Sequence, residues 1–497
     1  MKTFQRNAIC KAVLAMLGAM GSVVSADAVN INPNGLGQVL LYPYYTVRTS
    51  STSAATGTQN TYVSVTNSSS AAKAVKVRFM EGKNAREVLY FNLFLSAGDV
   101  WTGAVVPTTA ADSVGVGGAK LISADKSCTY GTVTLSPGIP FSNAAYVGDL
   151  GGDSLDRTNE GSLELIEMGV ITHSALLSAI SHVGGVAPCT AATLAAADAA
   201  SLSGYLTTAT GGLFGGVSII NPSTGVDYTY DAVALDAWDA TVGGQGAAST
   251  ALTPTLASGS ITTSLVLFNG TAKTAAWGGL NASRDAVSAA MMRNNVMNEF
   301  VLDAATQSGT DWVVTFPTKR FYVTGATAQS RQPFTNTFSA SGSCDVPSLW
   351  PSALGRQGIF SREEQYTDRP QSGVSPPNWW ATEELCWAAN VIVFNALSGA
   401  NSIFGSKNLI NLISFENQGS KTNNLRIAFQ NGWMKLGFLE SSMVLTPMAS
   451  SSNGIPDATP QAYYGLPVVG FMAQSFINNL ISSFGGNFGH KYSLDIR

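Results

Sequence analysis

Three groups of side chains in this sequence have the types and spacing to do chemistry. The first is a carboxylate cluster, Asp149, Asp153, Asp156 and Glu160, in the run GDLGGDSLDRTNEGSLELIEMG. Oxygen ligands on a glycine-rich loop suit a hard cation such as Ca²⁺, although the spacing is not that of the helix–loop–helix calcium motif. The plainer reading, which we favour, is a polar loop leading into a strand over Leu163 to Met168, with Glu164 and Glu167 at its edges. The second group spans residues 362–387. Arg362, Glu363, Glu364 and Asp368 form a local charge cluster. Trp379, Trp380, Glu383, Glu384 and Trp387 follow. Two carboxylates roughly 5 Å or roughly 6.5–9.5 Å apart hydrolyse glycosides. The three tryptophans would offer faces for sugar rings. Rings packed in a core beside a disulfide are the commoner use of such residues.

The third group is the cysteines. Cys10 lies in the N-terminal segment, leaving Cys128, Cys189, Cys344 and Cys386. An even number in an exported chain reads as disulfides, with three connectivities open to four cysteines. Nearest pairing, Cys128–Cys189 and Cys344–Cys386, closes the shorter loops. Each bond would stabilise by roughly 2–4 kcal/mol. A metal site needs clustered ligands. These cysteines have no C-x-x-C spacing, and only His182 stands near one of them. Metal is therefore not expected, apart from the calcium candidates above.

Other catalytic signatures are missing. There is no G-x-S-x-G elbow, H-E-x-x-H helix or phosphate-binding loop, and no G-x-G-x-x-G after a strand. With 3 histidines in 497 residues, imidazole chemistry has few candidates. His173 and His182 are nine residues apart, which does not place them on one helical face. Both read as structural.

The compartment is read from the N-terminus. Lys2, Arg6 and Lys11 flank an apolar run from Ala12 to Val24, followed by Ala26-Asp27-Ala28. A positive flank, a short apolar run and small residues are the pattern of a cleaved export signal. No later stretch reaches the ~18 apolar residues of a membrane helix. Charged residues make up only 12%, against about 25% in an average globular chain, and the net charge is −4. No basic stripe exists to meet a nucleic acid.

The elements that must position these groups are mostly strands. Val75, Val77 and Phe79 alternate with Lys76 and Arg78, which predicts apolar residues inward and charges outward. Thr61 to Asn67, Glu87 to Leu95 and Asp99 to Val106 are similar runs at 10–13-residue spacing, which indicates an antiparallel sandwich. Phe214 to Ile220 and Val226 to Ala234 flank an Asn-Pro-Ser-Thr-Gly turn and predict a hairpin. Residues 108–147 look lightly structured, and Val242 to Ser260 reads as a flexible linker or a long loop. Short helices are predicted over His173 to Val183 and Thr190 to Leu206. The densest signal is Ser283 to Val323. It predicts a helix capped by Ser283 and carrying Met297 to Val301, then a buried strand, Trp312 to Phe316. Lys319 and Arg320 read as a solvated strand end, with Phe321 to Val323 resuming the extended run.

The stretches TYVSVTNSSSAAKAVKVRF and FNLFLSAGDVWTGAVV resemble immunoglobulin-like sandwich domains of exported bacterial proteins, over about residues 36–107. LELIEMG, DWVVTFPTKRFYV, EELCW and YYGLPVVGF are similar to segments of exported bacterial cell-surface or surface-layer proteins. The resemblance implies an exterior location and transfers no site residues. The expected fold is mainly β, antiparallel sandwiches with a few short helical insertions. The expected divisions are 1–28 signal, 29–147 immunoglobulin-like sandwich, 148–324 β-rich with helical insertions, and 325–497 β-rich. The expected role is a secreted or surface structural or interaction protein without catalysis. It would meet other surface proteins, envelope polysaccharide or copies of itself. The alternative is a secreted carbohydrate-binding protein or glycosidase using residues 362–387.

Overall fold

A computed structural model describes residues 27–50, 57–130, 133–134, 136–303, 305–324, 333–334, 337–344, 358–365, 385–395, 402–408, 412–413, 421–422, 424–426, 430–438, 448–449, 461–478 and 482–497. The export-signal segment, Asp368, Trp379, Trp380, Glu383 and Glu384 lie outside the described residues.

The chain is mainly β. The first half contributes β1 (Val39–Thr46), β2 (Asn60–Asn67), β3 (Lys73–Glu81), β4 (Glu87–Leu95), β5 (Val100–Pro107), β6 (Glu160–Ile171), β7 (Leu213–Asn221) and β8 (Val226–Asp231). One antiparallel sheet runs Val233–Asp236, β1, β6, β3, β4 and Cys128–Tyr130, with Asn30–Ile31 at its edge. The other runs Ala119–Ile122, β5, β2, β7 and β8. Val75, Val77, Phe79 and Leu165 of the first sheet meet Val63, Val65, Trp101 and Ile219 of the second in one core. That alternation was readable in advance, because side chains along a strand point to opposite faces.

The sheets run across the expected boundary at residue 147. β6, central in the first sheet, and the β7–β8 hairpin come from beyond it. Residues 108–147 also contain three short strands, Ala119–Ile122, Cys128–Tyr130 and Ile139–Pro140.

The second half contributes β9 (Asn295–Val301), β10 (Gly309–Thr315), β11 (Gly358–Ser361), β12 (Ala389–Asn395), β13 (Asn431–Gly437), β14 (Val469–Asn478) and β15 (Ser482–Gly489). β12, β10, β14 and β15 form a sheet, and β11, β13, β9 and Lys491–Ser493 form another. β10 is buried along its whole length, as its two-sided apolar pattern predicted. Its Val313 joins the sandwich core, while Trp312 and Val314 face a second core with Phe300, Met434 and Leu436. The threonine hydroxyl of Thr315 donates to the Pro43 carbonyl at 2.7 Å, tying the two halves together.

The helices are short: α1 (Ser174–Ile180), α2 (Ala191–Ala199), α3 (Ala282–Ala290) and α4 (Arg320–Val323). Three expectations fail around α3. Ser283 sits inside the helix, after Asn281, and its hydroxyl caps nothing. Met297 to Val301 is strand, because Val296 and Phe300 alternate inward and pair with β13. Phe321 to Val323 is a helical turn, not an extended run.

Candidate functional site

The acidic cluster of residues 149–160 does not converge on a cation position. Glu160 opens β6 and is fully buried. Its Oε1 accepts from Arg48 Nε at 2.5 Å and from the Lys407 amide at 2.9 Å. Its Oε2 accepts from the Tyr44 hydroxyl at 2.8 Å and from Ser406 Oγ at 2.5 Å. Asp156 takes Arg48 and Lys407, each at 2.9 Å. Arg157 grips Asp149 with two parallel bonds of 2.9 and 2.8 Å, the bidentate geometry that makes such pairs strong. Arg157 also reaches Glu81 at 2.9 Å and lies over the Tyr146 ring. Asp153 is exposed and outside this network. Asp149, Asp156 and Glu160, three of the four calcium candidates, are each answered by an arginine or lysine. Among the described residues, no group of three or more acids, histidines or cysteines is placed to hold a metal.

These contacts set the electrostatics. Burial pushes the Asp149 carboxyl upward, but Arg157 outweighs it and holds it below the usual range. Burial acts the same way on Asp156, where Arg48 and Lys407 prevail and hold it down. An acid held ionised in this way is a poor proton donor. It is a strut between β1, β6 and the 402–408 segment.

A second group lies on the outer face of the sandwich. Sequence alternation sent Lys76 and Arg78 to solvent and put Glu164 and Glu167 at a strand edge. All four are fully buried. Arg78 and Glu164 are cross-strand partners, joined at 2.5 Å. Arg320, expected at a solvated strand end, closes the group: it reaches Glu87 at 2.7 Å and Glu164 at 2.9 Å, and Arg78 also binds Glu87. Burial raises Glu87, yet Arg320 and Arg78 bring it below its ordinary value. Lys73 and Glu167 pair at 2.6 Å. Lys76 donates to the carbonyls of Ala248 and Ser249 at 2.9 and 3.0 Å. The 242–260 stretch is thus a long loop that covers this face, not a flexible linker. Its own Ala247 and Leu256 are buried against the cores below. Lys319 is buried too, and donates to the Leu385 carbonyl at 3.1 Å.

No family model, curated protein or solved structure matches this chain. The site must therefore be read from its own geometry.

The cysteines are paired Cys128–Cys189 and Cys344–Cys386. Cys128 and Cys386 are buried, so both bonds anchor core-lining segments. Trp387 is half-buried against the second core, beside Phe338 and under Lys83. His182 lies 3.7 Å from Asp99, and His173 packs on Tyr205. Sequence reasoning missed His490. Its ring is half-buried and packs on Trp312, Nε2 lies 3.0 Å from the Val313 carbonyl, and Nδ1 lies 3.2 Å from the Asn298 amide. A neutral ring with its proton on Nε2 satisfies both partners. It also missed Asp311, buried on β10, which accepts from Ser402 Oγ at 2.6 Å and the Phe404 amide at 3.2 Å. An acid at the head of a strongly apolar run was the available signal for Asp311; His490, between Gly489 and Lys491, carried none.

Among the described residues, no helix is long and apolar enough to cross a membrane.

Proposed function

We propose that this chain is an exported component of the cell exterior, a structural or interaction protein without catalytic turnover. One observation carries the reading: side chains with reactive potential are spent on cross-bracing. Asp149, Asp156 and Glu160 are bound by arginine and lysine, and four cysteines are closed as two disulfides. Disulfides persist in oxidising compartments and are rare where glutathione keeps thiols reduced. The N-terminal sequence pattern supports the same compartment.

Fractionation of the native cell, with alkylation of free thiols before lysis, tests this reading. The chain should sit in the envelope or medium fraction, lack residues 1–26 or 1–28, and take up no alkylating agent at Cys128, Cys189, Cys344 or Cys386. A full-length chain in the cytoplasm with reactive thiols would overturn it.

A further inference from the structure

Among the described residues, the sheet of β11, β13, β9 and Lys491–Ser493 buries one face only. Ile359, Met434, Leu436, Val296 and Phe300 point into the second core. The opposite face carries a cross-strand row, Phe360, Trp433 and Glu299. Trp433 is 38% exposed and stacks on Phe360, with ring centroids 4.5 Å apart and planes 16° from parallel. Lys435 follows two residues along on the same face, and Asn431 two residues before.

At the Asn431 end the chain makes a pinned turn. Ser361 Oγ accepts from the amides of Glu363 and Gln365 at 3.2 and 3.1 Å. Glu364 is held at φ 65°, a left-handed conformation costly for a residue with a side chain. Such an outlier points to a local demand on the backbone. The turn projects Arg362 and Glu363, which with Gln430 and Asn431 border a hollow of about 200 Å³. Sites that enclose a drug-sized ligand run to roughly 300–1,000 Å³. This one has room for a single ring of a longer molecule.

We propose that this face binds a neutral polysaccharide, one sugar residue lying on the Trp433 ring and a neighbouring one in the hollow. An aromatic ring offers an apolar surface to the C–H side of a sugar. The planar side chains of Arg362, Glu363, Gln430 and Asn431 offer the donors and acceptors that ring hydroxyls require. Glu299, Glu363 and Glu364 offset Arg362, Lys435 and Lys491, three charges against three, so the face has no preference for a charged polymer. A protein partner would call for a broader apolar patch than one tryptophan beside a half-buried phenylalanine. The proposal does not depend on where the chain resides.

Calorimetric titration of the full chain with cellohexaose, an N-acetylglucosamine hexamer and mannohexaose tests it. At least one should bind. Trp433→Ala should weaken that binding by about tenfold or more, as loss of a central aromatic anchor does. Arg362→Ala and Gln430→Ala, at exposed positions that leave the fold intact, should each weaken it several-fold. Phe214→Ala, exposed on the sandwich, should leave it unchanged. Failure of all three glycans to bind at millimolar concentration would overturn the proposal. So would full binding retained in the Arg362→Ala and Gln430→Ala variants.

Discussion

The sandwich and the β10 sheet bury ionisable groups in opposite ways. In the sandwich, Glu160, Asp149, Glu164 and Glu167 each have an arginine or lysine within hydrogen-bonding distance. On β10, Asp311 rests on hydroxyl and amide donors alone, and burial pushes it up to about 7. Burial brings His490, packed against the same strand, down to about 4. Arg157 holds Asp149 ionised, while at Glu167 burial outweighs Lys73 and raises the carboxyl; a buried pair fails when one partner is removed. Buried groups without a counter-charge titrate instead. The first arrangement makes a rigid brace. The second makes a pH-sensitive core.

The largest expected effect breaks the brace. Glu160→Ala leaves the buried Arg48 with Asp156 as its remaining carboxylate partner and orphans Tyr44, Ser406 and the Lys407 amide. Breaking a buried pair costs about 3–5 kcal/mol. Chemical denaturation should show a loss of that size. A change below about 1 kcal/mol would mean that water reaches the pair.

The next effect belongs to β10. Asp311 is raised from ~3.9 in the unfolded chain, so its protonated form contributes stability present below about pH 4 and lost as pH rises through about 7. His490 is depressed from ~6.5, so its contribution is present above pH 6.5 and lost as pH falls toward 4. The two slopes oppose each other between pH 4 and 6.5. Asp311→Asn should unmask a fall in stability on acidification, and His490→Gln should unmask a rise. Each should be on the order of 2–4 kcal/mol across the window. Melting curves at pH 4, 5, 6 and 7 read both. Parallel curves for wild type and variants would contradict the assignment.

The smallest effect sharpens the outer face of the sandwich. Burial, with Arg78 nearby, lowers Lys76 to about 8. The unfolded chain keeps that proton up to ~10.4, so stability should rise between pH 8 and 10. Lys76→Met should abolish the rise, on the order of 1–2 kcal/mol in denaturation midpoints. A rise that survives the substitution would place its source elsewhere.

Alternation along Val75–Phe79, the β7–β8 hairpin and the apolar run on β10 were legible because side-chain period reports strand faces directly. Burial of Lys76, Arg78, Glu164 and Arg320 was not. Period tells which residues share a face, but not whether a distant segment covers that face. Here residues 242–260 and α4 arrive from far along the chain. A cross-strand Arg78–Glu164 pair is invisible until the order of β3 and β6 is known. The candidate site was legible in type only. The acids of residues 149–160 stood out, but their partners Arg48 and Lys407 lie more than one hundred residues away on either side. The exposure of Trp433 was not legible, since neighbouring β11 and β9 decide which face of its strand stays open.

Carboxyl-selective ¹³C NMR titration of the native chain tests the central contrast most directly. Asp149 and Asp156 should titrate below the usual aspartate value, locked by their arginines, while Asp311 titrates near 7. A pKa between 5 and 7 at Asp149 or Asp156, or an Asp311 that titrates near 4, would turn the brace into a working acid and contradict the account.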